Sequence, residues 1–296
     1  MTLRSQARDF LINSATLLRA DRLALRLQQR RGRALIVAMH ETPASHAPQF
    51  RSQLDWAAQH FTITGLEGFT QLWAGRKKAG SKPPVLFTFD DGRESNYTVA
   101  APLLESFGAR GVFFVVPDFA DCPSDRALAF YRSRINPNSK PGDEAWEDWK
   151  PMNPAQIADL AARGHTIGNH TLTHQRLVNL DSDQLEKEIG ESARKLESWT
   201  KKPVDAFAWT FGWNAIDSSA WQTACRYHRY CFAACPGAID PERDSQRLLW
   251  RREIEVKYSP AEYRFLYSGL GDFWWRTRRD KLRHMTTAGQ SGTNNR

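Results

Sequence analysis

The sequence is poor in cysteine and contains no long apolar run. Three of its 4 cysteines cluster at Cys225, Cys231 and Cys235, but they lack the paired C-x-x-C spacing of a structural zinc site. We expect these thiols, and the isolated Cys122, to be reduced. No stretch approaches the roughly 18 consecutive apolar residues that a membrane-spanning helix needs. A chain of this length buries a full core without covalent cross-links.

The first residues do not follow the pattern of a secretory signal. Arg4, Arg8 and Asp9 interrupt any apolar stretch, and no small-residue cleavage site follows one. We therefore expect a cytoplasmic protein, with the inner face of a membrane as a further site of action. Residues 1–33 combine arginines with spaced leucines, which predicts a basic amphipathic helix. Such a helix either packs on the domain or lies on a membrane surface.

Positive charge is concentrated at the two ends of the chain. The net charge of +8 arises from 41 Lys+Arg against 33 Asp+Glu, and residues 19–33 and 276–283 hold most of the excess. Neither a helix-turn-helix signal nor Cys/His finger spacing accompanies these runs, so we expect no nucleic-acid partner. We interpret these basic runs first as an ordinary solvated face of the protein. Binding to a membrane surface or to a phosphate-bearing substrate is the second interpretation.

Short apolar runs alternate with helical patterns through the middle of the chain. The runs with the length and composition of buried strands are residues 34–39, 85–89, 111–116, 165–168, 206–210 and 230–234. This alternation predicts βα units around a parallel sheet, either a barrel or an open sheet. Because functional residues gather at the carboxyl ends of parallel strands, His40, Asp90 and Asp91 are expected on one rim.

Two segments do not fit this alternation. Residues 118–152 form a long polar stretch with Trp146 and Trp149, which predicts a functional or disordered loop. Its tryptophans either border a sugar-binding groove or anchor the loop. Residues 286–296 are rich in Gly, Ser, Thr and Asn, which predicts a disordered tail.

Two short motifs hold the residues best suited to chemistry. Asp90 and Asp91 end the predicted strand in T-F-D-D-G, and His170 and His174 form a His-x-x-x-His pair in G-H-T-I-G-N-H-T-L-T-H. Either motif alone is a weak signal. Together they offer imidazole and carboxylate ligands for a divalent metal and a second carboxylate that stays free as a base. The order of the motifs predicts a metal-dependent hydrolase.

On these two motifs the sequence resembles the polysaccharide deacetylase family, also called the NodB-homology or carbohydrate esterase family 4 group. The resemblance extends from about residue 35 to about residue 276 and implies a distorted (β/α) barrel of about seven parallel strands. We assign the catalytic domain to residues 34–285. The resemblance further implies that Asp91, His170 and His174 hold the metal, with Zn²⁺ favoured and Co²⁺, Ni²⁺ or Fe²⁺ also compatible. Asp90 is then the general base.

A third motif departs from the common family pattern. Ala208 stands in F-A-W-T-F-G-W, where many members carry an arginine, and the segment is more similar to the F-A-Y-P-F/Y-G of exopolysaccharide and poly-N-acetylglucosamine deacetylases. The backbone N–H near Gly212 is suited to an oxyanion. Trp209, Phe211 and Trp213 are either sugar-stacking residues or part of the core.

The residues that support Asp90 are the least determined part of the site. Arg252, in the strand-like R-E-I-E-V, is our candidate for the arginine that orients Asp90, with Arg251 as its rival and a surface position as the alternative. By resemblance to branches whose first strand ends in Tyr-His, His40 is assigned as the general acid. A hydrogen-bonding structural role for His40 is the alternative.

The resemblance implies removal of N-acetyl groups from amino-sugar units of a polysaccharide or a lipid-linked glycan precursor. An intracellular precursor is favoured by the expected cytoplasmic location. An O-acetyl esterase or N-deformylase acting on a sugar uses the same machinery. A non-catalytic carbohydrate-binding relative is the alternative from another class, since Ala208 shows that one customary side chain is lost.

Overall fold

The computed structural model describes residues 19–71, 82–138 and 149–291. Residues 1–18 of the predicted amphipathic helix, Trp146, and residues 292–296 of the predicted tail lie outside this part of the chain. In the part that is described, no helix combines the length and the apolar character needed to cross a membrane.

Parallel strands form the centre of the molecule. The strands are β1 Leu35–Met39, β2 Thr62–Thr64, β3 Pro84–Phe89, β4 Val112–Val115, β5 Thr166–Asn169, β6 Ala206–Ala208, β7 Tyr230–Ala233, β8 Leu249–Trp250 and β9 Arg252–Glu253. They follow the order β8-β7-β6-β5-β4-β3-β1-β9, with β2 paired to β3 beside that path. All pairings between these strands are parallel. The apolar runs of the sequence thus mark most of the strands.

The two ends of this sheet meet through one residue. β8 pairs with β7 and β9 pairs with β1, and only Arg251 separates β8 from β9 along the chain. Its backbone N–H still donates to the Ala233 carbonyl, 3.0 Å away. The sheet therefore closes almost completely into a (β/α) barrel, as predicted. Counted as one strand, β8 and β9 complete a ring of seven, with β2 added beside β3.

Helices surround the barrel. The α-helices are α1 Ala20–Arg30, α2 Ala47–His60, α3 Leu66–Thr70, α4 Ala101–Ser106, α5 Pro117–Ala120, α6 Ser124–Phe130, α7 Pro154–Ala162, α8 Ser182–Leu185, α9 Ser192–Thr200, α10 Ser218–Tyr227, α11 Pro260–Ser268 and α12 Arg276–Ser291. π-helical turns occur at Asn96–Ala100, Tyr131–Ile135 and Glu186–Glu191, and 3₁₀ turns at Ala44–His46, Trp213–Ala215 and Asp272–Trp275.

Side chains alternate between two buried layers, as the period of two in a strand requires. On β3, Phe87 and Phe89 pack edge-on against Phe50 of α2, in the layer between the sheet and the helices. On β4, Phe114 meets Phe232 of β7 at a ring-centroid distance of 5.1 Å. Because β4 and β7 are not neighbours in the sheet, this second contact crosses the barrel interior.

A glycine in β5 makes room for this interior packing. A Cβ added at Gly168 would lie 2.4 Å from Phe114 Cδ1, which no pair of carbon atoms tolerates. The glycine of the G-N-H motif therefore lets Phe114 fill the barrel beside the strand that ends at the histidine loop. The Phe114 ring in turn packs against the guanidinium of Arg251.

The described parts of segment 118–152, residues 118–138 and 149–152, are ordered, which excludes for them the disordered alternative of the predicted functional or disordered loop. Its described part contains most of α5, α6 and a π turn, and Trp149 is 2% exposed in a cluster with Phe119 and Tyr131. Trp149 is thus an anchor of this segment and does not border a groove. Local apolar residues let the segment bury a small core of its own.

The predicted tail is also partly ordered. α12 continues to Ser291, so residues 286–291 are helical. Leu282 and Thr286, one helical turn apart, are both buried, which explains why the helix persists into a segment whose composition suggested disorder.

Candidate metal and catalytic site

The two adjacent carboxylates follow β3 and point in different directions. The Asp90 backbone N–H donates to the Met39 carbonyl at 2.8 Å, so Asp90 continues the pairing of β3 with β1. Asp91 leaves the strand with a φ of 71°, in the left-handed region that non-glycine residues seldom adopt. This abrupt change of backbone conformation gives each carboxylate its own surroundings. Both are buried.

The histidine pair lies opposite Asp91. The Nε2 atoms of His170 and His174 are 3.7 and 3.5 Å from Asp91 Oδ1. On the other side of each ring, Nδ1 lies 2.9 Å from the Ala208 carbonyl for His170 and 2.8 Å from the Arg134 carbonyl for His174. A carbonyl only accepts, so both Nδ1 atoms donate and both Nε2 lone pairs face Asp91.

The loop that presents these histidines is strained and firmly held. Thr171 and His174 have φ angles of 65° and 59°. The Asn169 side chain accepts from the Thr171 backbone N–H at 2.9 Å, and Glu188 accepts from both the backbone and the hydroxyl of Thr173. Neither Asn169 nor Glu188 was predicted from the sequence. Asn169 could have been found as part of the G-N-H motif, whereas no local signal marks Glu188.

Asp91, His170 and His174 fit a divalent metal. One ligand atom from each lies within 4.8 Å of the others. Burial lowers the pKa of His174 to about 4, so its ring is neutral, as a ligand must be. Burial alone would raise the pKa of Asp91, but the charge of Arg93 and the neighbouring histidines together outweigh it, and the pKa is lowered. Two imidazoles and one ionised carboxylate suit zinc and similar cations.

Arg93 fixes the carboxylate of Asp91 from behind. Its Nη2 donates to Asp91 Oδ2 at 2.9 Å, which leaves Oδ1 for the side that faces the histidines. Arg93 is itself buried and stacks over Tyr131. The sequence analysis missed this residue, although an arginine directly after D-D-G is a usable signal.

Asp90 forms a fully buried ion pair with Arg251. Arg251 Nη1 and Nη2 donate to Asp90 Oδ1 and Oδ2 at 2.6 and 2.9 Å, and Nη1 also reaches Thr88 Oγ1 at 3.2 Å. The guanidinium stacks on Phe114, 5.2 Å from the ring centroid. Burial alone would raise the pKa of Asp90, but Arg251 outweighs it and keeps the pKa below its usual value.

The prediction that Arg252 orients Asp90 is wrong. Arg252 Nε donates to Asp272 Oδ1 at 3.0 Å and Nη1 to the Tyr267 carbonyl at 3.1 Å. Successive side chains of an extended chain point to opposite faces, so a shift of one residue exchanges the barrel interior for its exterior. The rival Arg251 occupies the interior position, and the surface alternative is wrong for both arginines because both are buried.

His40 stands on the wall of the same pocket, as its position after β1 predicted. Its Nδ1 lies 2.6 Å from Glu255 Oε1, and one third of its side chain is exposed. Burial would lower the pKa of His40, but the Glu255 carboxylate, with smaller contributions from Asp91 and Asp90, outweighs it and raises the pKa to about 10. Glu255 was missed by the sequence analysis. Its spacing from Arg251, with Glu253 between them, is the period-two signal that marks it.

The aromatic residues after β6 have different positions. Phe211, with a φ of 56°, meets the His174 ring at 4.7 Å, and Trp213 is only partly buried. Trp209 is 1% exposed and packs edge-on against Phe207, so most of its ring belongs to the core. Together with Gly212, all three residues still border a pocket of about 640 Å³ that also contains His40, Asp90 and Asp91.

The chain was compared with known protein families. A family model described as polysaccharide deacetylase matches residues 77–228, just over half of the 296 residues, and this range contains both motifs. The protein belongs to the polysaccharide deacetylase family, which confirms the resemblance inferred from the two motifs.

Individual relatives are distant in sequence. A peptidoglycan-N-acetylglucosamine deacetylase of Bacillus cereus is 26% identical over 121 residues, 40% of this chain and 43% of that protein. The chain spans about half the length of the curated relatives it matches. The BpsB deacetylase domain of Bordetella bronchiseptica aligns with a TM-score of 0.57 and 19% identity, over 75% of this chain and 95% of that one. A de-N-acetylase of Aggregatibacter actinomycetemcomitans aligns with a TM-score of 0.60 and 15% identity, over 79% of this chain and 99% of that one. These likenesses support the fold.

The contact between His40 and Glu255 makes a measurable prediction. Glu255→Gln removes the negative charge that favours protonated His40, so we expect the pKa of His40 to fall by more than one unit from about 10. NMR titration of the labelled imidazole in the metal-free protein measures it. Glu253→Gln is the matched comparison: its carboxylate also lies within 4.8 Å of His40 but makes no described hydrogen bond to it, so the His40 pKa should fall less than in Glu255→Gln. An unchanged pKa in Glu255→Gln contradicts the assignment.

Proposed function

We propose that this protein is a metal-dependent hydrolase that removes N-acetyl groups from amino-sugar units of a glycan. The observation that supports it most directly is the division of the two adjacent carboxylates. Asp91 faces two histidines, while Asp90 is held apart by Arg251. A metal site and a separate ionised base in one pocket are what hydrolysis of an amide requires.

Asp90 acts as the general base in this proposal. Its low pKa keeps it ionised, and burial excludes bulk water that would compete for its proton-accepting oxygens. Both oxygens already accept from Arg251, so the attacking water adds a further contact to a carboxylate whose orientation is fixed. Asp91, His170 and His174 would hold a divalent metal, whose positive charge would acidify water and polarise the acetyl carbonyl.

His40 acts as the general acid. Because its pKa lies near 10, the ring is protonated at neutral pH and holds a proton for the nitrogen of the leaving amine. Nδ1 is bound to Glu255, which leaves Nε2 as the donor. The turn at Phe211 and Gly212 completes the pocket. We assign its backbone N–H to the developing oxyanion and the Phe211 and Trp213 rings to the sugar.

The substrate is proposed as an N-acetylated polysaccharide or a lipid-linked glycan precursor. The Bacillus cereus relative is named for peptidoglycan N-acetylglucosamine, which supports an N-acetylated sugar. An O-acetyl esterase or an N-deformylase uses the same residues. The non-catalytic alternative is less favoured, because Asp90, Asp91, His170 and His174 are all present and assembled in one pocket.

Acetate release tests the proposal. With N-acetylglucosamine oligosaccharides and lipid-linked precursors, we expect acetate that is lost on chelation and restored by Zn²⁺. Asp90→Asn lowers kcat by about 10²- to 10⁴-fold but leaves one zinc bound, whereas His174→Ala also loses the zinc. Activity that survives Asp90→Asn contradicts the mechanism. Release from O-acetyl or N-formyl sugars alone shows a different substrate, and tight glycan binding without hydrolysis supports the non-catalytic alternative.

The two neighbouring arginines provide a matched pair of variants. Arg251→Gln frees the Asp90 carboxylate, and we expect kcat to fall by about 100-fold because small displacements of a catalytic group are costly. Arg252→Gln removes bonds to Asp272 and Tyr267 outside the site. It should lower the free energy of unfolding by about 1–3 kcal/mol and leave the kcat of the folded fraction unchanged. Equal effects of both on kcat would refute the assignment of Arg251.

We further propose a peripheral membrane contact for this protein at the cytoplasmic face. Leu23 and Leu27, one turn apart on α1, are 61% and 45% exposed, and exposed Arg22 and Arg26 flank them. Exposed leucines beside arginines are typical of a helix that lies in an anionic lipid interface. Such a position would bring a lipid-linked precursor close to the enzyme.

Vesicle sedimentation tests this contact. We expect the protein to pellet with phosphatidylglycerol vesicles and not with phosphatidylcholine, and the double variant Arg22→Glu/Arg26→Glu to remain in solution. The matched control Lys187→Glu/Lys201→Glu makes the same change in net charge at exposed positions elsewhere and should still pellet. If both double variants behave alike, α1 is not the lipid-binding element.

A further inference from the structure

Two tryptophans that line one wall of the pocket hold a guanidinium between them. Arg278 of α12 lies 5.1 Å from the ring centroid of Trp213 and 4.5 Å from that of Trp275. Both rings line the pocket that contains Asp90 and Asp91. Stacking on two faces fixes the plane of the guanidinium while its edge, which bears the N–H donors, stays open. Arg278 is exposed, so the edge is accessible.

A second guanidinium lies on the same aromatic turn. Arg176 is exposed and stands 4.9 Å from the ring centroid of Phe211, which in turn contacts His174. Phe211 and Trp213 are separated only by Gly212. The turn that borders the metal ligands thus supports two stacked arginines, Arg176 and Arg278, on neighbouring rings.

Neither arginine is neutralised within the described part of the chain. No hydrogen bond or ion pair joins Arg176 or Arg278 to a residue that the structure describes. Other cations near the pocket are paired, as Arg93 is with Asp91 and Lys257 with Glu41. Unpaired positive charge therefore lies against the aromatic residues that line this side of the pocket.

Two of the three carboxylates that line the pocket near His40 have partners. Glu41 pairs with Lys257 and Glu255 with His40, which leaves Glu253 against the two stacked guanidiniums. The uncompensated charge beside this pocket is therefore positive, and it attracts an anionic group on the substrate toward the aromatic wall. A neutral glycan gains nothing from such an arrangement.

We propose that the aromatic wall is a subsite for a phosphate group attached to the N-acetylated sugar, with Arg278 as its principal donor and Arg176 as a second cation. The planar edge of a stacked guanidinium matches two phosphate oxygens. The inference rests on the proposed deacetylase function and narrows its substrate to phosphate-bearing saccharides. A lipid-linked sugar phosphate, a nucleoside diphosphate sugar and a phosphate-bearing oligosaccharide share this chemistry.

Paired substrates test the subsite. Acetate release is measured with methyl N-acetylglucosaminide as the neutral probe and N-acetylglucosamine 1-phosphate as the charged probe. We expect Arg278→Gln to raise KM about tenfold for the phosphate probe only, with kcat little changed. Arg278→Lys, which keeps the charge but loses the planar fork, should restore part of the difference. Arg276→Gln is the matched control, since Arg276 is exposed on the same helix and pairs with Asp280 outside the pocket.

Direct binding separates this inference from the proposed function. Calorimetry with glucosamine 1-phosphate should show binding that weakens in Arg278→Gln and in high salt, whether or not acetate is released. If both probes release acetate and Arg278→Gln changes KM equally for both, the subsite is overturned and the deacetylase function is retained. Binding of glucosamine 1-phosphate without acetate release from any probe supports the subsite and overturns the deacetylase function. UDP-N-acetylglucosamine and a short prenyl diphosphate-linked sugar in micelles then identify the source, as the probe whose KM depends most on Arg278.

Discussion

The ion pair between Asp90 and Arg251 is the interaction on which the rest of this structure depends. Both charges are removed from water, and their desolvation is offset only because two parallel hydrogen bonds, Thr88 and the face of Phe114 surround the guanidinium. The pair lies where the barrel closes. The same contact therefore joins the last strand to the interior and decides which of two adjacent carboxylates stays free of the histidines.

Strained backbone conformations help to keep the two carboxylates in these different surroundings. Asp91, Thr171, His174 and Phe211 all adopt positive φ angles, and all four lie in or beside the candidate metal site. Such conformations persist only where surrounding bonds determine them, as the carbonyls behind both histidines and the carboxylate of Glu188 do here. The geometry of the site is therefore a property of its supports as much as of its ligands.

The sequence predicted what is encoded locally. Apolar runs placed the strands, and the two motifs placed both carboxylates and both histidines at carboxyl ends of strands. Contacts between segments that are distant in sequence could not be predicted from it. Arg251 and Arg252 are indistinguishable by residue type, and only the phase of a short strand decides which faces inward. Composition left two roles open for Trp149, and burial in the structure selects the anchor. It also suggested disorder for residues 286–291, which continue α12, with Thr286 buried at their start.

The barrel seam also sets the order in which this protein becomes complete during synthesis. Asp90 and Arg251 are 161 residues apart in sequence, and the ribosome releases the carboxylate long before its cation. A contact of such sequence separation requires the intervening chain to be brought together first. A nascent chain that ends before β8 contains Asp91, His170 and His174, but its Asp90 has no Arg251 as counter-charge. Maturation of the site thus coincides with closure of the ring.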